Sequence, residues 1–297
     1  MSAGAALPRA LPSPGASPAR RPSRRLTGRT AAAMPDSARY LLHRPEILNA
    51  LRRGEAAIDR VMVGSGRLYP AGRLLVEPDS PNTQIFRLRK GWVGRLRTLE
   101  DGRSQFILIF LPGDLFAVKS LFVTHSPDAI QALSEVLVEQ VDHRTLREAY
   151  ERDADLATRC MWQVIEEERR LHNWVVGLGR GSADERLALL LIDFRGRLIL
   201  SGTLPPGALA YDLPMTQEQI GDHLGISNVH VNRVLRAFRE DGLVTMRGRR
   251  VTIGDLDALV RIAAPLLDIS ERERPEFVGP RDAEPFTEGK GGADDGR

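Results

Sequence analysis

Cysteine is nearly missing from this chain of 297 residues, in which Cys160 stands alone. One thiol excludes a disulfide within the chain and any cysteine-ligated zinc or iron–sulfur site. It fits a reducing compartment, the cytoplasm. No apolar run approaches the length of a membrane span, so no membrane partner is expected. Histidines and acids at metal-ligand spacing are also missing. That argues against an enzyme built on the strand-rich region, and no catalytic residue, metal or other cofactor is expected. Acids are absent from residues 1–35, which carry Arg9, Arg20, Arg21, Arg24, Arg25 and Arg29 among five prolines from Pro8 to Pro22. Those prolines forbid a regular helix, and the lack of an apolar segment excludes a secretory signal. The stretch reads as a disordered extension, and residues 270–297, which lean acidic, as a disordered tail. With both ends removed, the formal net charge of +3 shrinks to near neutrality. Nucleic-acid binding must therefore come from local placement of charge.

What is present begins with strands. From Val61 to Val141 short stretches alternate apolar and polar residues and break at glycine, with Asp101-Gly102 a hairpin signal and Pro112-Gly113-Asp114 a turn. This predicts a small antiparallel β-roll or jelly roll over residues 45–152. The period then changes. Ala157, Met161, Val164, Leu171, Val175 and Leu178 recur at steps of three, four and seven, with Glu168 in one slot, which is a heptad seam. A stripe this long on a helix over 153–180 calls for a second copy of itself, so a homodimer is expected. Glu166 and Arg170 read as an ion pair on a solvated face, and Cys160 as packing. The glycines of Gly177–Gly181 read as a hinge, with Ser182 or Asp184 capping a helix to about Phe194.

Within the C-terminal stretch 181–265, residues 214–253 carry the most specific pattern. Thr216 caps a helix and Gln219 completes a capping box. The helix ends at Gly225, where a positive φ is expected, and Ser227 caps the next helix, which runs to about Asp241. Gly221 lets the two helices approach. Two helices joined by three or four residues form a helix-turn-helix. After Gly242, "LVTM" and "RVTI" pair as a hairpin, a wing that carries Arg247, Arg249 and Arg250. On the second helix Val231, Val234, Leu235 and Phe238 form an apolar back, while Asn228, Val229, Asn232 and Arg233 form a ridge. An arginine pairs with guanine O6 and N7, an asparagine with adenine N6 and N7, and a valine touches a thymine methyl. These four are expected to contact bases in a major groove. Thr216, Gln217, Ser227, His230, Arg247 and Arg249 are expected to hold phosphates.

Residues 50–262 resemble the Crp/Fnr family of bacterial transcription regulators. The resemblance rests on "GDLF" at Gly113–Phe116, the long helix and "TQEQIGDHLGISNVHVNRVLRAFREDGLV". It implies an α+β chain with three parts: an N-terminal antiparallel β-roll (jelly-roll, cyclic-nucleotide-binding-like), a long dimerisation helix and a C-terminal winged helix-turn-helix. It further implies double-stranded DNA with a palindromic site as partner, bound by a homodimer, and RNA polymerase as a further candidate partner. Asn228, Val229 and Arg233 match the family's base-contacting positions, although Asn-Val replaces the common Arg-Glu opening. Cyclic-AMP-binding members carry a Glu soon after Gly-Asp and an Arg further on. Here Val118 and Asp128 stand in their place, and an uncompensated carboxylate at Asp128 would oppose a phosphate. Lys119 is the nearby cation. The expected effector is therefore unknown and not cyclic AMP; the alternative is a cyclic-nucleotide-dependent regulator. His43 and His125 are isolated, a pattern of structural histidines rather than haem ligands.

Overall fold

The computed structural model describes residues 45–267. The expected extension at 1–35 and tail at 270–297 lie outside the described residues. The chain opens with helix α1, Pro45–Met62. Eight strands follow: β1 Arg67–Tyr69, β2 Leu74–Val76, β3 Gln84–Lys90, β4 Val93–Thr98, β5 Ser104–Phe110, β6 Leu115–Phe116, β7 Ala129–Ala132 and β8 Val136–Asp142. They form two four-stranded sheets, ordered β1-β8-β3-β6 and β2-β7-β4-β5, with every pair antiparallel. The β-roll is thus as the alternation predicted. Its interior holds Phe86, Leu88, Val93, Leu108, Phe110, Phe116, Ile130 and Val138, all buried. Phe86 and Phe116 stack with centroids 5.1 Å apart.

Two helices were not expected within 45–152. Helix α1 buries Ala57, Ile58 and Met62 against Ile85 and Val141 of the roll and Leu156 and Cys160 of the long helix. Helix α2, His143–Arg152, begins where Asp142 accepts a hydrogen bond from the Thr145 amide. Both are polar on average and amphipathic, so their apolar positions are too sparse to stand out beside the strands.

The long helix α3 runs from Ala154 to Arg180, and α4 from Ala183 to Leu200, well beyond Phe194. Ser182 caps α4 with Glu185 in a reciprocal capping box. The expected five-residue hinge is a correction: Gly177 and Gly179 continue α3, and the break falls at Gly181, whose backbone is extended. The C-terminal unit follows as β9 Ala210–Asp212, α5 Gln217–Leu224, α6 Asn228–Glu240, the hairpin β10 Val244–Arg247 with β11 Arg250–Ile253, and α7 Leu256–Ala263. Strand β9 pairs with β11, so the wing is three-stranded and includes part of what read as linker.

One apolar cluster runs through the whole C-terminal half. It joins Trp92, Phe106, Ile109 and Leu133 on the outside of the roll to Trp174 of α3, to Leu187, Leu190 and Phe194 of α4, and to Ile220, Val231 and Val251. The winged unit is therefore seated on the roll.

Candidate nucleic-acid interface

Local chemistry dictates the geometry of α5 and α6. Thr216 accepts from the Gln219 amide while the Gln219 side chain accepts from the Thr216 amide, so both ends of the capping box close. Gly225 has φ 65°, the left-handed turn that a side chain would strain. At Gly221 an added Cβ would come 2.6 Å from the Ile226 carbonyl oxygen, so the close crossing requires glycine there. Ser227 then caps α6 by accepting from the His230 amide. Val231, Val234 and Phe238 are buried at 0–3% exposure, which fixes the rotation of α6 about its axis.

That rotation puts Asn228, Val229, Asn232 and Arg233 together on the open side, with Val229 79% exposed. Asn232 Nδ2 donates to Asn228 Oδ1 at 3.0 Å, and Arg233 donates to His230 Nε2 at 2.6 Å. Two side-chain pairs are thus tied together on this face, and His230 acquires a role in holding Arg233 that sequence pattern did not suggest. Thr216 and Ser227 are exposed at the starts of the two helices, Gln217 is half-buried, and each capping hydroxyl keeps its own proton to donate outward. First-turn amides at a helix start favour an anion. Arg247, Arg249 and Arg250 are exposed at the tip of the wing. Arg250 is paired with Asp212 at 3.1 Å, which leaves Arg247 and Arg249 as the wing residues expected at phosphates.

Two further regions bear on function. On α3, Met161, Val164, Val175 and Leu178 are 45–67% exposed, and Ile165 and Val176 widen the apolar stripe. Another face of α3 buries Leu156, Cys160 and Trp174, and Leu171, which the heptad placed in the seam, is half-buried against the core of the roll instead. Glu166 and Arg170 bring a second correction. They pair as expected, at 4.0 Å, but not on a solvated face: Glu166 is 9% exposed, and Arg170 also bonds Asp114 at 3.2 Å. Asp114 also takes Arg197 of α4 at 2.6 Å, so the aspartate of "GDLF" clamps roll, α3 and α4. Burial would raise its pKa, but Arg170, Arg197 and the Leu111 amide outweigh that and hold it at about 2.

The third correction concerns Asp128. It is 5% exposed and compensated, with Arg97 at 2.6 Å on one oxygen and Lys119 at 2.9 Å on the other. Val118, where the cyclic-AMP-binding members carry a Glu, is apolar and buried. Among the described residues no group of three or more His, Cys, Asp or Glu is placed to hold a metal. No helix among them is long and apolar enough to cross a membrane.

The chain is similar to known proteins. Residues 66–153 match the family model of the cyclic nucleotide-binding domain, and residues 185–262 that of the Crp-like helix-turn-helix domain. The transcriptional activator protein anr of Pseudomonas aeruginosa is 27% identical over 207 residues, spanning 70% of this chain and 84% of its own. The fumarate and nitrate reduction regulatory protein of Escherichia coli is 26% identical over 192 residues, spanning 65% and 76%. The structure of FixK2 from Bradyrhizobium japonicum superposes with a TM-score of 0.59 at 26% identity, covering 66% of this chain and 96% of that one.

Proposed function

The chain belongs to the Crp/Fnr family of DNA-binding transcription regulators, and from that premise we propose that it acts as a homodimer reading a palindromic duplex. The observation that carries this reading is the ridge of Asn228, Val229, Asn232 and Arg233, exposed on a helix whose other face is locked into the core. Only a helix held this way presents base-reading groups without first rearranging. Thr216, Gln217, Ser227, His230, Arg247 and Arg249 surround the ridge and supply phosphate contacts. The exposed stripe on α3 seats a second copy. Met161, Val164, Ile165, Val175, Val176 and Leu178 line it, and exposed apolar clusters of this kind mark interaction surfaces. Two α6 helices then lie about one DNA turn apart, roughly 34 Å. The regulator works in the cytoplasm beside RNA polymerase.

The match to the cyclic nucleotide-binding model favours a second reading, in which a cyclic nucleotide is required. The occupied charges at Asp128 and the apolar Val118 weigh against it, and the effector is taken to be something other than cyclic AMP. Sedimentation of the protein alone and with duplex tests the first reading: two chains free and two chains per duplex are expected. One chain in either state overturns it. Calorimetry with cyclic AMP and cyclic GMP separates the second.

A further inference from the structure

The roll's own pocket holds an unexpected group. It lies between β2, β4, the turn of 3-10 helix at Val118–Leu121 and the loop leading into β7, and it is lined by Arg95, Lys119, Ser120, His125, Ser126 and Asp128. The remaining cavity is about 20 Å³, room for one or two waters. A molecule of nucleotide size does not enter without opening it.

The charge arrangement is that of a filled anion site. Arg97 comes from β4 and Lys119 from the 3-10 turn. They converge on opposite oxygens of one carboxylate: Arg97 gives Nε at 2.8 Å and a terminal nitrogen at 2.6 Å to Oδ1, and Lys119 gives Nζ at 2.9 Å to Oδ2. The two cations are 45% and 41% exposed, whereas the Asp128 side chain is 6% exposed. The anion is thus the buried partner and the cations form its rim. The Asp128 amide also donates to Ser126 Oγ at 3.3 Å, which fixes the turn that delivers it. Nearby, Arg95 is already satisfied in charge by Glu167 of α3 at 3.0 Å. Removing the Asp128 carboxylate would take this counter-charge from Lys119, which lines the cavity, and from Arg97 behind Asp128.

The same hairpin touches the DNA-binding unit. Arg97 stands opposite Gln105 in the β4–β5 register, and Leu96 opposite Phe106. Gln105 Nε2 donates to the His223 carbonyl at 3.2 Å, and the Phe106 carbonyl lies 2.8 Å from His223 Nδ1. His223 belongs to α5, the helix that carries the recognition helix. One strand pair therefore has the buried anion at one side and the winged unit at the other.

We propose that Asp128 is a built-in ligand: its carboxylate takes the anion position of the roll's pocket, and the β4–β5 hairpin holds the DNA-binding unit in register on the strength of it. The protein then binds DNA with no diffusible anion in the pocket. The DNA arm of this proposal rests on the reading above; the anion arm does not.

Asp128→Ser tests both. Phosphate, sulfate and cyclic AMP are titrated calorimetrically into wild type and variant. Affinity for a palindromic duplex, selected from a random pool, is measured at fixed ionic strength with and without phosphate. Wild type is expected to take up none of the three and to bind the duplex equally with or without phosphate. The folded variant is expected to take up phosphate, to bind duplex at least tenfold more weakly without it, and to recover with it. Asp128→Asn is read the same way if the serine variant fails to fold. Uptake of any of the three by wild type overturns the built-in ligand. So does a folded variant with no anion uptake, whether or not it binds DNA. Uptake by the variant with unchanged DNA affinity overturns the relay. If wild type binds no duplex at all, the DNA-binding reading fails while the calorimetry still decides the anion site.

Discussion

Arg233 reaches back one turn to His230, its guanidinium 2.6 Å from Nε2, so the arginine at the centre of the recognition ridge is held before DNA arrives. A long side chain pays rotamer entropy when it docks, and a restrained one pays less. Arg233→Ala is expected to cost about 1–3 kcal/mol on the preferred site and to relax preference at one base pair. Anisotropy titrations on single-substituted duplexes check this. Equal losses on preferred and random DNA would remove Arg233 from base reading.

Arg249 on the wing has a different signature. Arg249→Ala should weaken binding to all sequences alike and lower the slope of log affinity against log salt by about one. A sequence-dependent loss, with the slope unchanged, would contradict a phosphate contact.

Gly221 is where two helices meet. A methyl group there sits 2.6 Å from the Ile226 carbonyl oxygen, a backbone atom with no room to retreat. Gly221→Ala should cost about 1–3 kcal/mol, as overpacking does, and lower DNA affinity by tilting α6. Urea unfolding at unchanged midpoint would show that the crossing is looser than drawn.

His223 sets a pH window. Its Nδ1 lies between the Phe106 carbonyl at 2.8 Å and the Trp174 indole nitrogen at 3.2 Å, and the shorter contact favours Nδ1–H donating to Phe106. Burial pushes its pKa down from 6.5 to about 4, against the smaller upward pull of that carbonyl. A depressed histidine contributes stability that is complete above its unfolded value and is lost as pH falls through the folded one. The window is therefore pH 6.5 to about 4, and between pH 7.5 and 5 the loss from this group should be about 2 kcal/mol. His223→Phe should remove that part of the pH dependence. An unchanged profile would mean that His223 is solvated.

The stripe on α3 gives a prediction about assembly. Val175 is 67% exposed in the single chain. Val175→Asp buries a charge in the seam and should dissociate the dimer, with a weaker salt-dependent grip on DNA as the consequence. A dimer that survives at micromolar concentration would place the seam elsewhere.

What was legible beforehand follows from range of interaction. Caps, turns and the heptad are local patterns, so Thr216, Ser227, Gly225 and most of the α3 stripe were readable from spacing alone, but not that Leu171 turns to the roll. The β-roll was readable from alternation. Helix α1 was not, because its burial depends on Ile85, Val141 and Leu156, far away in the chain. Asp128 looked uncompensated because Arg97 lies 31 residues before it. Glu166 and Arg170 fit an exposed i,i+4 pair until Asp114 arrived from another element. No local signal marked His223 as the contact between roll and winged unit.

DNA reading by α6 is tested most directly by selection of bound duplexes from a random pool, by wild type and by Arg233→Ala in parallel. A symmetric dimer should select an inverted repeat with half-site centres about one helical turn apart, and the variant should lose preference at one symmetric pair of positions. An unrepeated motif, or no enrichment at low ionic strength, would contradict it.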